Sequence, residues 1–241
     1  MPKTAMILAA GLGERMRPIT DSLPKPLVPV HGTPMLDTIL DRLSDAGVER
    51  VVINLHYLGE MIERHLNGRR APAVEFSRES ERLETGGGVR KALPLLGDDP
   101  FFALNGDVCW LDGQTPGLER LAAAWDADKM DALLLLHPSA LTLGYEGVGD
   151  YVMNPEGRLR RRREREVAPF IFAGIQILHP RLFEGAPEGS FSLNKLYDKA
   201  QEAERLWGIR HDGEWYHIGT PESLREAEDA LHRFGPSSTQ T

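Results

Sequence analysis

Apolar positions along the chain change period repeatedly, and each change marks an element. Residues 4–8 form a short apolar run that reads as a buried strand. Leu36, Ile39, Leu40 and Leu43 recur at helical spacing, on a helix that Thr33 can cap, Pro34 can start and Gly47 can end. Residues 51–54 return as a strand, 58–66 read as a second helix, and 74–77 as an edge or short strand. A helix opened by glycines follows over 86–96, then a strand over 101–105. This alternation predicts an α/β fold, a mostly parallel twisted sheet with helices on both faces and ligands outside the carboxyl ends of its strands.

The second half is less regular. Leu118, Leu121, Ala122 and Trp125 share one helical face, 132–137 is another buried strand, and Asn154-Pro155-Glu156-Gly157 turns between strands of a small β insertion. Residues 170–178 resume a core strand, 193–204 can be helical, and Asp212-Gly213 turns a hairpin into 215–218. Thr220 and Pro221 start a last helix. The segment 234–241 has little to bury and reads as a frayed tail, leaving 1–233 as a single domain without internal repeats.

A chain of 241 residues with 41% apolar content can fill the core of one such domain. Its net charge of −8 argues against a general binder of nucleic acid or membrane surfaces. The single cysteine, Cys109, and the absence of a signal peptide or long apolar span point to the cytoplasm. Cys109 reads as a small residue packed at a strand end, because no base stands near it in sequence.

The candidate chemistry sits directly behind the first strand, in Leu8-Ala9-Ala10-Gly11-Leu12-Gly13-Glu14-Arg15-Met16-Arg17-Pro18, followed by Pro24-Lys25-Pro26. Glycines let backbone N–H groups approach a ligand, while Arg15 supplies a planar fork and Lys25 a compact charge for phosphate oxygens. Together they suggest a triphosphate site. A dinucleotide fingerprint would need glycine where Met16 stands, and no Gly-Lys-Ser/Thr follows to make a Walker loop. Pro18, Pro24, Pro26 and Pro29 forbid continuous helix, so the strand leads into a lid-like loop. A solvated turn with two exposed cations is the plain alternative.

This loop, with Leu83-Glu84-Thr85-Gly86-Gly87-Gly88 and Asn105-Gly106-Asp107-Val108, resembles the signature of the sugar-1-phosphate nucleotidyltransferases, over nearly the whole chain. Within that family it looks closest to the short bacterial enzymes that uridylylate N-acetylmuramate 1-phosphate in cell-wall recycling; mannose-1-phosphate guanylyltransferases share much of it. The resemblance implies a Rossmann-like fold with an acceptor-binding β insertion, an NTP and a sugar 1-phosphate as partners, and pyrophosphate release. It implies that Arg15 holds the β- and γ-phosphates and that Lys25 bridges the α-phosphate and the incoming sugar phosphate. Ala10, Gly11, Leu12, Gly13 and Asn105 would contact the nucleotide. Glu84, Thr85, Gly86, Gly87 and Gly88 would lie under base and ribose, their missing side chains admitting the ring. Asp107 would hold Mg²⁺, a hard cation suited to carboxylate oxygen.

Gly149, Asp150 and Gly174 occupy positions where relatives contact the hexose, although packing also explains both segments. Two features depart from the family. Where many relatives carry Glu-Lys-Pro, this chain has Glu166-Val167-Ala168-Pro169, preceded by Arg158 and the run Arg160 to Arg163, which reads as a solvated face screened by its own glutamates. Where the family ends its site with Trp-x-Asp-x-Gly-Thr, the run here is Trp215-Tyr216-His217-Ile218-Gly219-Thr220. Histidine thus replaces the second metal carboxylate. An imidazole ligand suits Mn²⁺, Co²⁺ or Zn²⁺ better than Mg²⁺; alternatively His217 only hydrogen-bonds phosphate or water. Loss of that carboxylate also leaves open a regulatory module that binds nucleotide sugars without turnover. His56 either lies near the base or simply ends a strand.

Overall fold

The computed structural model of the chain describes residues 1–142, 145 and 147–234. Its first half runs β1 (Thr4–Leu8), the two-residue strands β2 (Pro29–Val30) and β3 (Thr33–Pro34), α1 (Met35–Asp45), β4 (Arg50–Leu55), α2 (Gly59–His65), β5 (Ala73–Arg78), α3 (Glu84–Leu96) and β6 (Phe101–Asn105). The second half runs β7 (Cys109–Leu111), α4 (Gly117–Ala124), β8 (Ala132–Pro138), β9 (Tyr151–Met153), β10 (Leu159–Arg161), β11 (Phe170–Leu178), α5 (Asn194–Glu202), β12 (Leu206–Arg210), β13 (Glu214–Tyr216) and α6 (Pro221–Phe234). Phe234 closes α6, and the rest of the expected tail, 235–241, lies outside the described residues.

β5, β4, β1 and β6 stand side by side in parallel. β11 runs antiparallel beside β6, β8 antiparallel beside β11, and β12 parallel beside β8, while the β9–β10 hairpin pairs with the start of β11. By these pairings β1, β4, β5, β6, β8, β9 and β12 run one way, and only β10 and β11 run the other. The expected sheet is present, with one antiparallel strand in its middle.

Alternation along the strands assigns the two faces. Ala5, Ile7, Val51, Ile53, Phe102 and Leu104 point to the side covered by Leu36, Ile39, Leu40 and Leu43 of α1 and Leu118 and Leu121 of α4. Met6, Val52, Phe101 and Ala103 point to the side covered by Val89, Ala92 and Leu96 of α3 and Leu196 and Tyr197 of α5. The four α1 residues are wholly buried, each contributing about 1.5–3 kcal/mol of transfer free energy. Helices therefore lie on both faces. Among the described residues no helix is long and apolar enough to cross a membrane.

Three local expectations are corrected. Thr33 does not cap α1: it pairs with Val30 in the β2–β3 ladder, and the helix begins at Met35 with no side-chain cap. Asp212-Gly213 does not join a hairpin: β12 pairs with β8, whereas β13 pairs with β7, a strand that the sequence pattern does not announce. The Asp212 carboxylate instead meets Arg120 at 2.6 Å, which draws the chain away toward α4. The third correction is that α3 starts at Glu84, ahead of the glycines. Thr220 does behave as expected, its Oγ1 accepting the Ser223 N–H at 3.1 Å as an N-cap.

Candidate active site

Leu8 and Asn105 are register partners on β1 and β6, so the loops that follow these strands leave the sheet at one edge, side by side. The first loop makes three short 3-10 turns, at Glu14–Met16, Ile19–Asp21 and Lys25–Leu27, in place of a helix, as its prolines require. Thr20 Oγ1 donates to Gly13 O at 2.7 Å, and fully buried Met16 packs with Val28, Tyr216, Ile218 and Leu224. The loop is thus pinned from behind by α6, a packed cradle and not a free lid.

Between the two loops opens a cleft of about 510 Å³. Ala10, Gly11, Leu12, Gly13, Arg15 and Lys25 line it from the first loop, Glu84 and Thr85 from the head of α3, and Asn105 and Asp107 from the second loop. These candidates, far apart in sequence, share one cavity. Lys25 Nζ donates to Asp107 Oδ2 at 2.5 Å, with the lysine side chain only 12% exposed. Arg15 and Arg82 line the same cleft and form no ion pair among the described residues. Glu84 sits at φ 57°, a left-handed conformation that non-glycine residues rarely hold, at the very rim.

His217 follows β13 beside this group. Burial, then the nearby Arg15 and Lys25 charges, lower its pKa against the opposing pull of Asp107, so the imidazole is neutral at pH 7. His217 does not itself line the cleft but feels the Asp107 charge, and a neutral imidazole with a carboxylate is a donor set that fits a divalent cation completing its shell with phosphate oxygen and water. Among the described residues no three His, Cys, Asp or Glu side chains converge, so protein ligands alone do not make a closed site. Cys109 takes no part. Burial raises its thiol pKa to about 11, which keeps it protonated.

Gly86, Gly87 and Gly88 do not line the cleft; the role proposed for their missing side chains is corrected. A Cβ on Gly86 would stand 2.3 Å from the Phe191 ring, one on Gly87 2.3 Å from Gly189 O, and one on Gly88 2.7 Å from Asn54 Nδ2. The glycines let α3 close against the 189–191 loop and the end of β4, which holds Glu84 and Thr85 in position. Gly86 N and Gly87 N both donate to Phe191 O, at 2.8 and 3.1 Å.

Sequence reasoning missed Asn54, Glu79 and Arg82. Buried Asn54 accepts the Ala9 N–H at 2.7 Å and donates Nδ2 to Glu79 Oε1 at 2.7 Å, while Glu79 Oε2 accepts the Leu83 N–H at 3.1 Å. One polar chain thus ties the first glycine loop to the head of α3. A buried asparagine at the carboxyl end of a strand was the available signal. His56 directly follows β4, its Nδ1 bonded to Glu79 O at 3.1 Å, and does not line the cleft.

Residues 4–233 match the family described as Nucleotidyl transferase. The chain belongs to that family. N-acetylmuramate alpha-1-phosphate uridylyltransferase of Caulobacter vibrioides is 40% identical over 95% of this chain and 97% of its own length. The protein of the same name from Neisseria meningitidis serogroup B is 36% identical over 93% and 96%. A UDP-glucose pyrophosphorylase solved with UDP-glucose shares the fold, with a TM-score of 0.81 over 97% of this chain and 99% of its own at 20% identity.

The residues predicted at the sugar end of this nucleotidyl transferase separate into two kinds. Gly149 and Gly174 both have φ 75° and pack tightly, with a Cβ on Gly149 falling 2.0 Å from Ala168 O and one on Gly174 2.5 Å from Val108. Both are positions where the backbone itself needs glycine. Asp150 instead lines a second hollow of about 310 Å³ with Tyr151, Arg161, Arg162, Phe172 and Asn194. A hydrogen bond links the walls of the two cavities: Thr85 of the first accepts the Leu193 N–H at 3.0 Å, next to Asn194 of the second.

The arginine run of the transferase is mostly paired. Arg160 grips Glu166 through both nitrogens at 2.8 and 2.6 Å, and that hydrogen bonding lowers the Glu166 pKa to about 2. Arg161 meets Asp198 of α5 at 2.7 Å, and Arg158 meets Glu204 at 3.4 Å. The expected screening by Glu166 is real, but Asp198 of α5 and Glu204 just beyond it supply the other partners.

Proposed function

We propose that this nucleotidyl transferase moves the uridylyl group of UTP to N-acetylmuramate 1-phosphate, releasing pyrophosphate and forming the UDP-sugar, as a cytoplasmic step of cell-wall recycling. The observation that carries the reading is the convergence of Arg15, Lys25 and Asp107 in one cleft, with a second hollow tied to it through the Leu193–Thr85 hydrogen bond. The names of the two uridylyltransferases it resembles support the choice of base and sugar.

An oxygen of the sugar phosphate attacks the α-phosphorus of UTP in line with the departing pyrophosphate. Two anions must meet, so the barrier falls with cations and N–H donors fixed in advance. Arg15 grips the β- and γ-phosphates and neutralises pyrophosphate as it leaves. Lys25, held over the cleft by Asp107, lies where α-phosphate and acceptor phosphate approach each other. Ala10, Gly11, Leu12 and Gly13 give backbone contacts, and Glu84, Thr85 and Asn105 hold nucleoside and ribose, with Gly86 to Gly88 acting from behind. Asp107 and His217 would hold a divalent cation, Mg²⁺ or Mn²⁺, which when bound supplies charge neutralisation at the phosphates.

The test is pyrophosphate release over four NTPs and a panel of sugar 1-phosphates. UTP with N-acetylmuramate 1-phosphate is expected to be the best pair. Preference for GTP with mannose 1-phosphate by about 10-fold in kcat/KM, roughly 1.4 kcal/mol, would replace this reading with guanylyl transfer. No release with any pair would leave a nucleotide-sugar-binding module.

His217 gives a second test. His217→Ala is expected to raise the half-saturating metal concentration by about 10-fold, and His217→Asp to shift preference from Mn²⁺ toward Mg²⁺. Mn²⁺ binding followed by electron paramagnetic resonance checks this without turnover. Superimposable titrations for the three proteins would remove His217 from the ligand set.

A further inference from the structure

The hollow beside the nucleotide cleft contains a cation that forms no ion pair among the described residues. Along the arginine run, Arg158, Arg160 and Arg161 each meet a carboxylate, of Glu204, Glu166 and Asp198. Arg162 does not. It lines the hollow, forms no ion pair among the described residues, and its side chain makes only a 3.4 Å hydrogen bond from Nη1 to Arg163 O. Its strand-end position is set by the backbone, where Arg162 N donates to Asp150 O at 2.8 Å.

The rest of the lining suits a sugar derivative. Phe172 contributes an aromatic side chain, Asn194 an amide, and Asp150 a carboxylate whose Oδ2 accepts the Phe172 N–H at 3.0 Å. A carboxylate beside a guanidinium in an open hollow takes a ligand with both hydroxyls and negative charge. That charge is not the acceptor's attacking phosphate, which must reach Lys25 and Asp107, and these line the other cleft. A guanidinium fork matches a planar carboxylate in two parallel hydrogen bonds, which an ammonium cannot copy.

We infer that Arg162 binds a carboxylate carried by the acceptor sugar and so selects an acidic sugar 1-phosphate over its neutral counterpart. This rests on the acceptor reading given above, since N-acetylmuramate differs from N-acetylglucosamine by a lactyl ether that ends in a carboxylate. Arg162 is then a specificity residue, separate from the group that handles the phosphates.

The experiment measures kcat and KM with UTP and either N-acetylmuramate 1-phosphate or N-acetylglucosamine 1-phosphate, for wild type, Arg162→Gln, Arg162→Lys and Arg163→Gln. Arg162→Gln is expected to lose about 10- to 100-fold in kcat/KM on the acidic acceptor, through KM for that acceptor. On the neutral acceptor it should change far less, so that discrimination collapses. Arg162→Lys should recover only part of the loss, and Arg163→Gln, outside the hollow, should keep the wild-type ratio. Wild type that prefers the acidic acceptor while Arg162→Gln keeps that preference would overturn the inference alone. Wild type that uses both acceptors equally would overturn the acceptor reading and the inference together.

Discussion

Lys25→Ala is expected to cut kcat/KM by about 10²-fold or more while the protein stays folded, the size of effect that follows removal of one preorganised electrostatic donor. Lys25 Nζ stands 2.5 Å from Asp107 Oδ2 in the wall shared by both glycine-bearing loops. It is therefore fixed before substrate arrives and requires little reorganisation during transfer. Removing it leaves Asp107 without a partner, yet that side chain is 36% exposed and water can solvate it. The stability cost is that of a partly exposed pair, about 1 kcal/mol or less. Steady-state kinetics beside a thermal melt separates the two effects. Near-normal turnover in folded Lys25→Ala would sink the assigned role.

Gly87→Ala is expected to act in the opposite way, through the fold first and activity second. The added Cβ would fall 2.3 Å from Gly189 O, a backbone atom that cannot swing aside as a side-chain tip can. Accommodating it means moving α3 away from the 189–191 loop and stretching the paired N–H donations of Gly86 and Gly87 to Phe191 O. Overpacking of this kind costs about 1–3 kcal/mol, and here lost hydrogen bonds add to it. Glu84 and Thr85 stand just before the shifted turn and line the cleft, so nucleotide binding should weaken as well. Gly11→Ala supplies the contrast, because its Cβ would meet nothing within 4 Å. That variant should keep its stability, and any loss of activity would report contact with ligand. An unchanged denaturation midpoint for Gly87→Ala would overturn the packing account.

These two glycines show how local patterns mislead about role. Both stand in signature motifs of this family, and on sequence alone both read as openings for a ligand. Gly11 does face the cleft, whereas Gly87 faces the protein. A glycine's missing side chain is visible in sequence; what fills the space is not. Similarly, Arg162 is indistinguishable in sequence from Arg160 and Arg161, and only the position of Asp198 and Glu166 separates paired from unpaired members of the run.

What the sequence determined by itself is whatever depends on near neighbours. Short apolar runs and helical spacing placed β1, α1, β4, β6, β8 and β11 close to their observed bounds, because a strand buried on both faces is apolar throughout and a helix buried on one face is apolar at every third or fourth position. Prolines excluded a helix after Gly13 for the same local reason, missing N–H groups and a fixed φ. The motif residues Arg15, Lys25 and Asp107 were legible as chemistry. The tertiary structure alone decided which groups meet. Lys25 and Asp107 are 82 positions apart, and Arg161 and Asp198 are 37 apart. The pairing of β13 with β7, and not with β12, likewise joins segments about a hundred residues apart. Such contacts depend on strand order and on which loops leave the same sheet edge, and the energy that selects that order is burial summed over the whole core, to which no single window of sequence has access.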